Sequence, residues 1–315
     1  MRCREVFLIT GASGFIGSVL MRKLSKKNKV IHIILRNEAK TWRIDDLLDK
    51  VTIHRCDMTD LEDLTKILKK IKPTIIYHLA THGAYSDQKN ADQIIETNFL
   101  GTWNLLQAAN TIDYKLFVNT GSSSEYGFKN EAMGEKDLLE PNSYYAVTKA
   151  AQSLLCSFLA KNDNKPIVTI RPFSVYGPYE EPKRLIPTLL KSIMDQTKMK
   201  LVSSKVARDY VYIDDVVEAY LKINKLIKAS GEIINIGSGT QTNIGQLVKI
   251  ACQATKQTTQ FIKDGMQSRN WDANTWVGDI SKARRLLGWY PKTDLDKGLL
   301  KTWNWLKKNR KFYEN

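Results

Sequence analysis

A chain of 315 residues with 43% hydrophobic and 26% charged side chains has enough apolar material for one large folded domain or two smaller ones. This excludes an intrinsically disordered chain and a mini-protein stapled by disulfides. The longest apolar runs, around Val30–Leu35 and Thr74–Ala80, fall far short of the ~20 residues that a membrane helix needs.

The chain opens with Met1-Arg2-Cys3-Arg4 and passes at once into Val6–Ile9, too short a stretch for the core of a signal peptide, so a cytoplasmic protein with no membrane partner is expected. From there, short β-branched runs alternate with helical periodicity. Val6–Ile9, Val30–Leu35, Val51–His54, Ile75–Leu79, Leu116–Asn119 and Ile167–Arg171 read as strands. Phe15–Lys27, Asp60–Ile71, Ala91–Asn110 and Ser143–Lys161 read as amphipathic helices. Strands alternating with helices predict a doubly wound, Rossmann-type α/β fold with a parallel sheet. After Arg171 the rhythm breaks, because Pro172, Gly177, Pro178, Pro182 and Pro187 follow in close succession. A smaller α/β substrate lobe is expected to begin there. Tyr210–Ile213, a helix over 214–228 and Ile233–Ile236 read as a return to the sheet, which assigns 1–171 and 209–238 to a dinucleotide-binding domain and 172–208 and 239–315 to the smaller lobe.

Cys3, Cys56, Cys156 and Cys252 form no CxxC pair and have no histidine ladder beside them, so reduced thiols and no metal site are expected. The charge of +15, from 48 basic and 33 acidic residues, suits a nucleic-acid binder or an enzyme with a polyanionic substrate. The basic residues are dispersed, and their densest cluster is Lys307-Lys308-Asn309-Arg310-Lys311. That pattern favours solvated helix faces over a binding groove, and no nucleic-acid partner is expected.

Between the first strand and first helix lies Thr10-Gly11-Ala12-Ser13-Gly14-Phe15-Ile16-Gly17. In that position, backbone N–H groups at a helix N-terminus hold a dinucleotide diphosphate. Gly11 suits the tight turn, Gly14 the close approach of the diphosphate, and Gly17 the helix–strand packing, with Ser13, Phe15 and Ile16 completing the cradle. About twenty residues on, where an acid would bind the ribose hydroxyls of NAD, stands Arg36. An arginine pairs instead with a 2′-phosphate, so among NAD(P)(H) cofactors NADP(H) is favoured, with Lys40 and Arg43 as helpers. Asp57 and Met58 past the third strand, and Leu79 and Ala80 at the end of the fourth, complete the cofactor set.

A tyrosine and a lysine four apart share a helix face, where the ammonium lowers the phenol pKa and makes it a usable acid or base. The spacing occurs at Tyr85/Lys89, Tyr145/Lys149 and Tyr179/Lys183. Pro182 interrupts the third pair and the first lies in a polar stretch, whereas Tyr145 and Lys149 open a long amphipathic helix after Pro141-Asn142-Ser143. Spacing also selects Tyr145 over Tyr144. Gly121-Ser122-Ser123-Ser124-Glu125-Tyr126-Gly127 follows the fifth strand at the edge where ligands of such folds bind, and a hydroxyl there would complete a substrate clamp.

Taken in order, Thr10–Gly17, His78-Leu79-Ala80, the serine loop before Tyr126-Gly127, Tyr145 with Lys149, Arg171–Pro178 and Arg208–Asp215 resemble the extended short-chain dehydrogenase/reductases, in particular the nucleotide-sugar epimerase/dehydratase branch. The resemblance implies hydride exchange between a nicotinamide and a sugar carbon, usually C4, of a nucleoside-diphosphate sugar. Tyr145 would be the acid/base, Lys149 would hold the nicotinamide ribose, and Ser122, four before Tyr126, would bond the sugar oxygen. Ser123, Glu125 and Ser174 would face the substrate, with Ser174 standing where an asparagine is common, and Arg208 and Arg269 would grip the diphosphate. His78-Leu79-Ala80-Thr81 lacks the family's usual second alanine. Dehydrating members carry an acid two places after the active hydroxyl, and here that place is Ser124. The expected activity is therefore a 4-epimerase, 4-ketoreductase or 4-dehydrogenase. A 4,6-dehydratase using Glu125 is the alternative if Ser123 is the active hydroxyl, and a non-catalytic cofactor sensor or nucleic-acid binder is a remote one. Members often pair as homodimers through two helices, here Ala91–Asn110 and Ser143–Lys161.

Overall fold

The computed structural model describes residues 5–27, 29–85, 87–201, 203–223, 230–258, 261–262 and 273–313. Its strands are β1 (Val6–Thr10), β2 (Val30–Leu35), β3 (Thr52–Arg55), β4 (Ile75–His78), β5 (Leu116–Thr120), β6 (Ile167–Pro172), β7 (Ser174–Tyr176), β8 (Met199–Lys200), β9 (Ala207–Tyr212), β10 (Ile233–Ile236), β11 (Gln241–Asn243) and β12 (Phe261–Ile262). The helices are α1 (Phe15–Ser25), α2 (Leu61–Ile71), α3 (Ala91–Ile95), α4 (Gly101–Ala109), α5 (Tyr144–Asn162), α6 (Leu185–Asp195), α7 (Ile213–Ile223), α8 (Ile244–Thr255), α9 (Ser281–Leu287) and α10 (Leu295–Lys308). The chain forms two compact units: Met1–Gly127 with Leu138–Arg171 and Val217–Ile234, and Phe128–Asp137 with Pro172–Val216 and Asn235–Asn315.

In the first unit the strands line up as β10-β6-β5-β4-β1-β2-β3. The pairs from β6 through β3 are all parallel. This is the expected doubly wound α/β fold, with its topological switch between β1 and β4, the place where such sheets take ligands. Every residue of β4, β5 and β6 is buried, which is why these strands show no alternation of apolar and solvent-facing polar residues; their polar members, among them His78, Asn119 and Arg171, are hydrogen-bonded inside. On one face Leu8, Ile34, Ile76, Phe117 and Ile167 pack with Leu64, Ile67 and Leu68 of α2, Leu105 and Leu106 of α4, and Cys156 and Leu159 of α5.

Two expectations need correction. The helix predicted over Ala91–Asn110 is α3, a π-helical turn at Glu96–Leu100, and α4. The extra residue of that turn carries Asn98 inward, fully buried, and periodicity does not register one residue of slippage in a helix of this length. The segment at Tyr210–Ile213 does not rejoin the main sheet. It is part of β9, which pairs parallel to β7 and antiparallel to β11 in a three-stranded sheet of the second unit. An apolar run specifies a strand but not its neighbours. Ile233–Ile236 does form an edge of the main sheet as β10, and the helix expected over 214–228 spans Ile213–Ile223, with 224–228 outside the described residues.

The second unit has its own apolar contacts. Tyr176 meets Tyr210 and Tyr212 edge-on, at ring separations of 6.4 and 5.6 Å. Trp289, fully buried, donates its indole N–H to the Asp215 carbonyl at 2.8 Å. Asp209, also buried, accepts from the N–H groups of Ser238, Gly239 and Gly278 and from the Ser238 hydroxyl, tying β9 to the two turns beside it.

Candidate active site

The glycine turn leaves β1 at its C-terminal end. Gly11 has φ +70°, and a Cβ there would lie 2.5 Å from the Leu79 carbonyl carbon and 2.6 Å from the Ala80 nitrogen. The turn can pass this close to the end of β4 only without a side chain. A Cβ on Gly17 would lie 2.3 Å from the Gly11 carbonyl oxygen, so the first turn of α1 is pressed onto the loop as well. Gly14 caps α1 with no side-chain hydrogen bond, and the first turn holds no acid. N–H groups left open at a positive helix end fit the diphosphate of a dinucleotide.

The remaining cofactor candidates follow the ends of adjacent strands. Arg36, exposed, follows β2; Asp57 and Met58 follow β3; Leu79 and Ala80 follow β4. Asp57 accepts from the N–H and hydroxyl of Thr59 at 2.9 and 2.7 Å. Burial pushes its carboxyl up, but these bonds and the Arg36 guanidinium hold it below the usual range. The Met58 side chain is buried in the apolar core. Arg43 is buried and its guanidinium lies 4.2 Å over the Trp42 ring.

Sequence reasoning missed a polar chain that joins these strand ends. The Thr102 hydroxyl donates to the Asn98 carbonyl at 2.5 Å, so at 2.8 Å it accepts from His78 Nε2. His78 Nδ1 is then the acceptor for the Thr10 hydroxyl at 2.7 Å, and Thr10 in turn accepts from the Ala80 N–H at 3.3 Å. The order of donors places a proton on His78 Nε2, and burial, which disfavours the charged ring, leaves Nδ1 as the acceptor of a neutral imidazole. Burial first, and the Lys149 charge second, push its pKa down to about 3. Asn98 extends the chain: its amide holds the Thr81 hydroxyl and the His82 backbone and donates to Thr148 of α5 at 2.9 Å.

The serine loop follows β5. Ser122 caps a 3-10 turn at Ser123–Tyr126, its hydroxyl accepting from the Ser124 N–H at 3.1 Å, and Ser123 is buried. Glu125 answers from the far side of the capping box. Its carboxylate accepts from the Ser122 N–H (2.7 Å), the Ser153 hydroxyl (2.9 Å) and Arg171 Nε (2.7 Å). With Glu125 0% and Arg171 1% exposed, the expected substrate contact of Glu125 is corrected: both carboxylate oxygens are engaged by protein donors.

Ser143 caps α5, and the helix brings Lys149 against the end of β5. Lys149, almost wholly buried, donates to the Thr120 carbonyl at 2.9 Å and to Gln152 Oε1 at 3.0 Å. Gln152 is held in turn by Asn119 at 2.6 Å. Burial lowers the Lys149 pKa to about 8, against an opposing pull from Glu125. Tyr144 points to solvent, 62% exposed. Tyr145 is half-buried and close enough to Tyr220 to raise that phenol further beyond the effect of burial, and Tyr220 shares a 2.8 Å hydrogen bond with the Thr120 hydroxyl. The three tyrosine–lysine spacings therefore separate. Tyr85/Lys89 precedes α3, Tyr179/Lys183 precedes α6 with Tyr179 at φ +72°, and only Tyr145/Lys149 lies in a helix.

In the second unit Ser174 opens β7, half-buried, and Arg208 lies on β9 with its guanidinium 5.1 Å above the Trp276 ring and Nη1 on the Ala207 carbonyl at 2.7 Å. Arg269 lies outside the described residues. Among the described residues no three His, Cys, Asp or Glu side chains form a metal cluster, and no helix is long and apolar enough to cross a membrane.

Residues 7–237 match the family model described as the NAD dependent epimerase/dehydratase family. The UDP-glucuronate 4-epimerase of Thermodesulfobacterium geofontis is 30% identical over 96% of both chains. The dTDP-glucose 4,6-dehydratase of Neisseria meningitidis is 24% identical over 98% of this chain and 95% of its own. Among solved structures, a UDP-glucuronic acid 4-epimerase from Bacillus cereus in complex with UDP-glucuronic acid and NAD superposes with a TM-score of 0.85. It is 29% identical, covering 96% of this chain and 99% of that one.

Proposed function

Because the chain belongs to the NAD dependent epimerase/dehydratase family, an enzyme family of nucleotide-sugar chemistry, we propose that it performs oxidoreduction at C4 of a nucleoside-diphosphate sugar. The observation that supports this reading is Lys149, four residues after Tyr145 on α5, bonded to the Thr120 carbonyl at the end of β5, where the loop of Ser122 begins, with a glycine turn suited to a dinucleotide after β1. A bound nicotinamide supplies hydride acceptance and return at the sugar carbon. The chain's own part is proton handling and orientation. Tyr145 Oη takes the proton of the C4 hydroxyl and later gives it back, Lys149 holds its charge beside the phenol so that this exchange runs near neutral pH, and the Ser122 hydroxyl orients the same oxygen. Arg208 and Arg269 are assigned to the diphosphate.

Dehydration across C5–C6 is disfavoured. Ser124 occupies the position where the acid would stand, and Glu125 is committed to Arg171, Ser122 and Ser153. Similarity to the two UDP-glucuronate 4-epimerases makes 4-epimerisation the first activity to assay. Incubation with UDP-glucose and UDP-glucuronate should give the C4 epimer, detected by chromatography, while Tyr145→Phe keeps its cofactor and loses at least about 100-fold in turnover. A 4-keto-6-deoxy product, or full activity in Tyr145→Phe, overturns the reading. For the nicotinamide we assign NADP(H), supported by Arg36 at the end of β2. Mass spectrometry of the cofactor released on denaturation checks it, and NAD(H) retained in its place overturns the role of Arg36.

A homodimer is also part of this proposal. It is supported by exposed apolar side chains at Tyr144, Val147, Leu154 and Phe158, one stripe of α5 by helical spacing, and at Ile95 of α3, Leu100 of the π-turn and Trp103 of α4.

A further inference from the structure

We propose that Glu125 is a positioning residue which, clamped by Arg171, locks the serine loop in place and supplies the negative charge that keeps Lys149 protonated. The inference rests on the reading that Lys149 and Tyr145 act as a pair. Its ground is the arrangement of buried groups beneath the end of β5.

The carboxylate lies directly under the loop. A Cβ on Gly121 would fall 2.4 Å from Glu125 Oε1 and 2.9 Å from Ser153 Oγ, so the backbone between β5 and Ser122 rests on the acid itself. Through the Ser122 N–H the same oxygen fixes the residue whose hydroxyl caps the turn. Arg171 holds the other oxygen, donates through Nη1 to the Tyr126 hydroxyl at 3.0 Å, and stacks 4.8 Å over the Tyr126 ring. Burial pushes the Glu125 carboxyl up, while Arg171, Ser122 and Ser153 pull it back. With a guanidinium at 2.7 Å and only donors on its oxygens, the group is a carboxylate. A fully desolvated ion pair is weak evidence for stability, because apolar residues of similar size often serve the fold as well. Its charge therefore calls for a second use.

Lys149 supplies that use. Both of its described hydrogen-bond acceptors, Thr120 O and Gln152 Oε1, are neutral, and burial favours loss of its proton. The titratable groups that act on it are His78 on β4, Cys156 on α5 and Glu125 on the 3-10 turn, with Tyr145 four residues before it on α5 and Arg171 of β6 paired to Glu125. His78 is neutral, and burial holds the Cys156 thiol protonated. That leaves Glu125 as the anion opposing the effect of burial on the ammonium.

The test is a titration of Lys149 in the full-length protein, followed by the 13Cε resonance of labelled lysine and assigned by its absence in Lys149→Met. In Glu125→Gln, which keeps an acceptor for Ser122 and Ser153, the Lys149 midpoint is expected to fall from about 8 by about one pH unit. Glu125→Gln leaves Arg171 buried without a partner, so the same titration is run on Glu125→Gln/Arg171→Met, which removes both charges and in which the midpoint stays lowered. The alkaline limb of turnover moves the same way. An unmoved midpoint in the folded double variant overturns the proposal, whatever its activity. Absence of turnover with every nucleotide sugar, accompanied by the midpoint shift, overturns the catalytic reading instead.

Discussion

His78 shows how a single side chain binds the site to the stability of the sheet. Its imidazole is neutral in the fold, with a pKa near 3, against an ordinary value of 6.5. Below pH 6.5 the unfolded chain binds a proton that the native state refuses. The contribution is therefore fully present above 6.5 and is lost as pH falls toward 3, by up to about 1.4 kcal/mol per pH unit. Thermal unfolding followed from pH 7 to pH 5 should show this loss, and His78→Asn should flatten the slope even though its stability at pH 7 is lower. An equal slope in the variant would place the acid sensitivity elsewhere. Residue identity alone did not disclose this role. A histidine before Leu79-Ala80 was legible, but its tautomer depends on Thr10, Thr102 and the Asn98 carbonyl, which lie on three different elements. Lys149 was legible because its partner is four residues away on one helix.

Among the elements, the glycine turn and the first helical turns carry the clearest consequences. Gly11→Ala must adopt φ +70° with its Cβ inside the β4 terminus, and the expected result is a loss of at least about 2 kcal/mol of stability together with cofactor binding. Urea denaturation and a cofactor fluorescence titration measure the two. At α2 the Asp60 carboxylate accepts from the Asp63 N–H at 2.9 Å. Asp60→Ala should cost about 1 kcal/mol with unchanged turnover, since its carboxylate caps the first turn of α2; a loss of activity would tie α2 to the site. The π-turn at Glu96–Leu100 is the counter-example. No local preference announced it, and what holds it is tertiary, because Asn98 satisfies the loop after β4 and Thr148 of α5 at once.

For the whole molecule, charge and exposed apolar surface point in different directions. A charge of +15 keeps chains apart at low ionic strength, whereas the apolar stripe of α5, with Leu154 59% and Phe158 57% exposed, favours association. The proposed dimer is thus expected to tighten as salt screens the repulsion, and Leu154→Glu/Phe158→Glu is expected to sediment as a monomer that remains folded. Sedimentation equilibrium at two salt concentrations measures this, and a wild type that is monomeric at both would sink the proposal.

What the sequence determined by itself were the features whose physics is local. The strand–helix alternation, the glycine turn after β1 and the tyrosine–lysine spacing of α5 each depend on neighbours within a few residues, so they can be read from the order of the chain, and the doubly wound α/β fold follows from them. What only the tertiary structure decided were the pairings across elements. It set β9 with β7 and β11, turned Met58 into the core and brought Asn98 inward on a π-turn. It also engaged Glu125 with an arginine 46 positions away. Glu125 is the sharpest case. In the sequence it is an acid in the serine loop, and in the fold burial and Arg171 make it a fixed charge beneath that loop, because desolvation and ion pairing depend on distances that the order of residues does not contain.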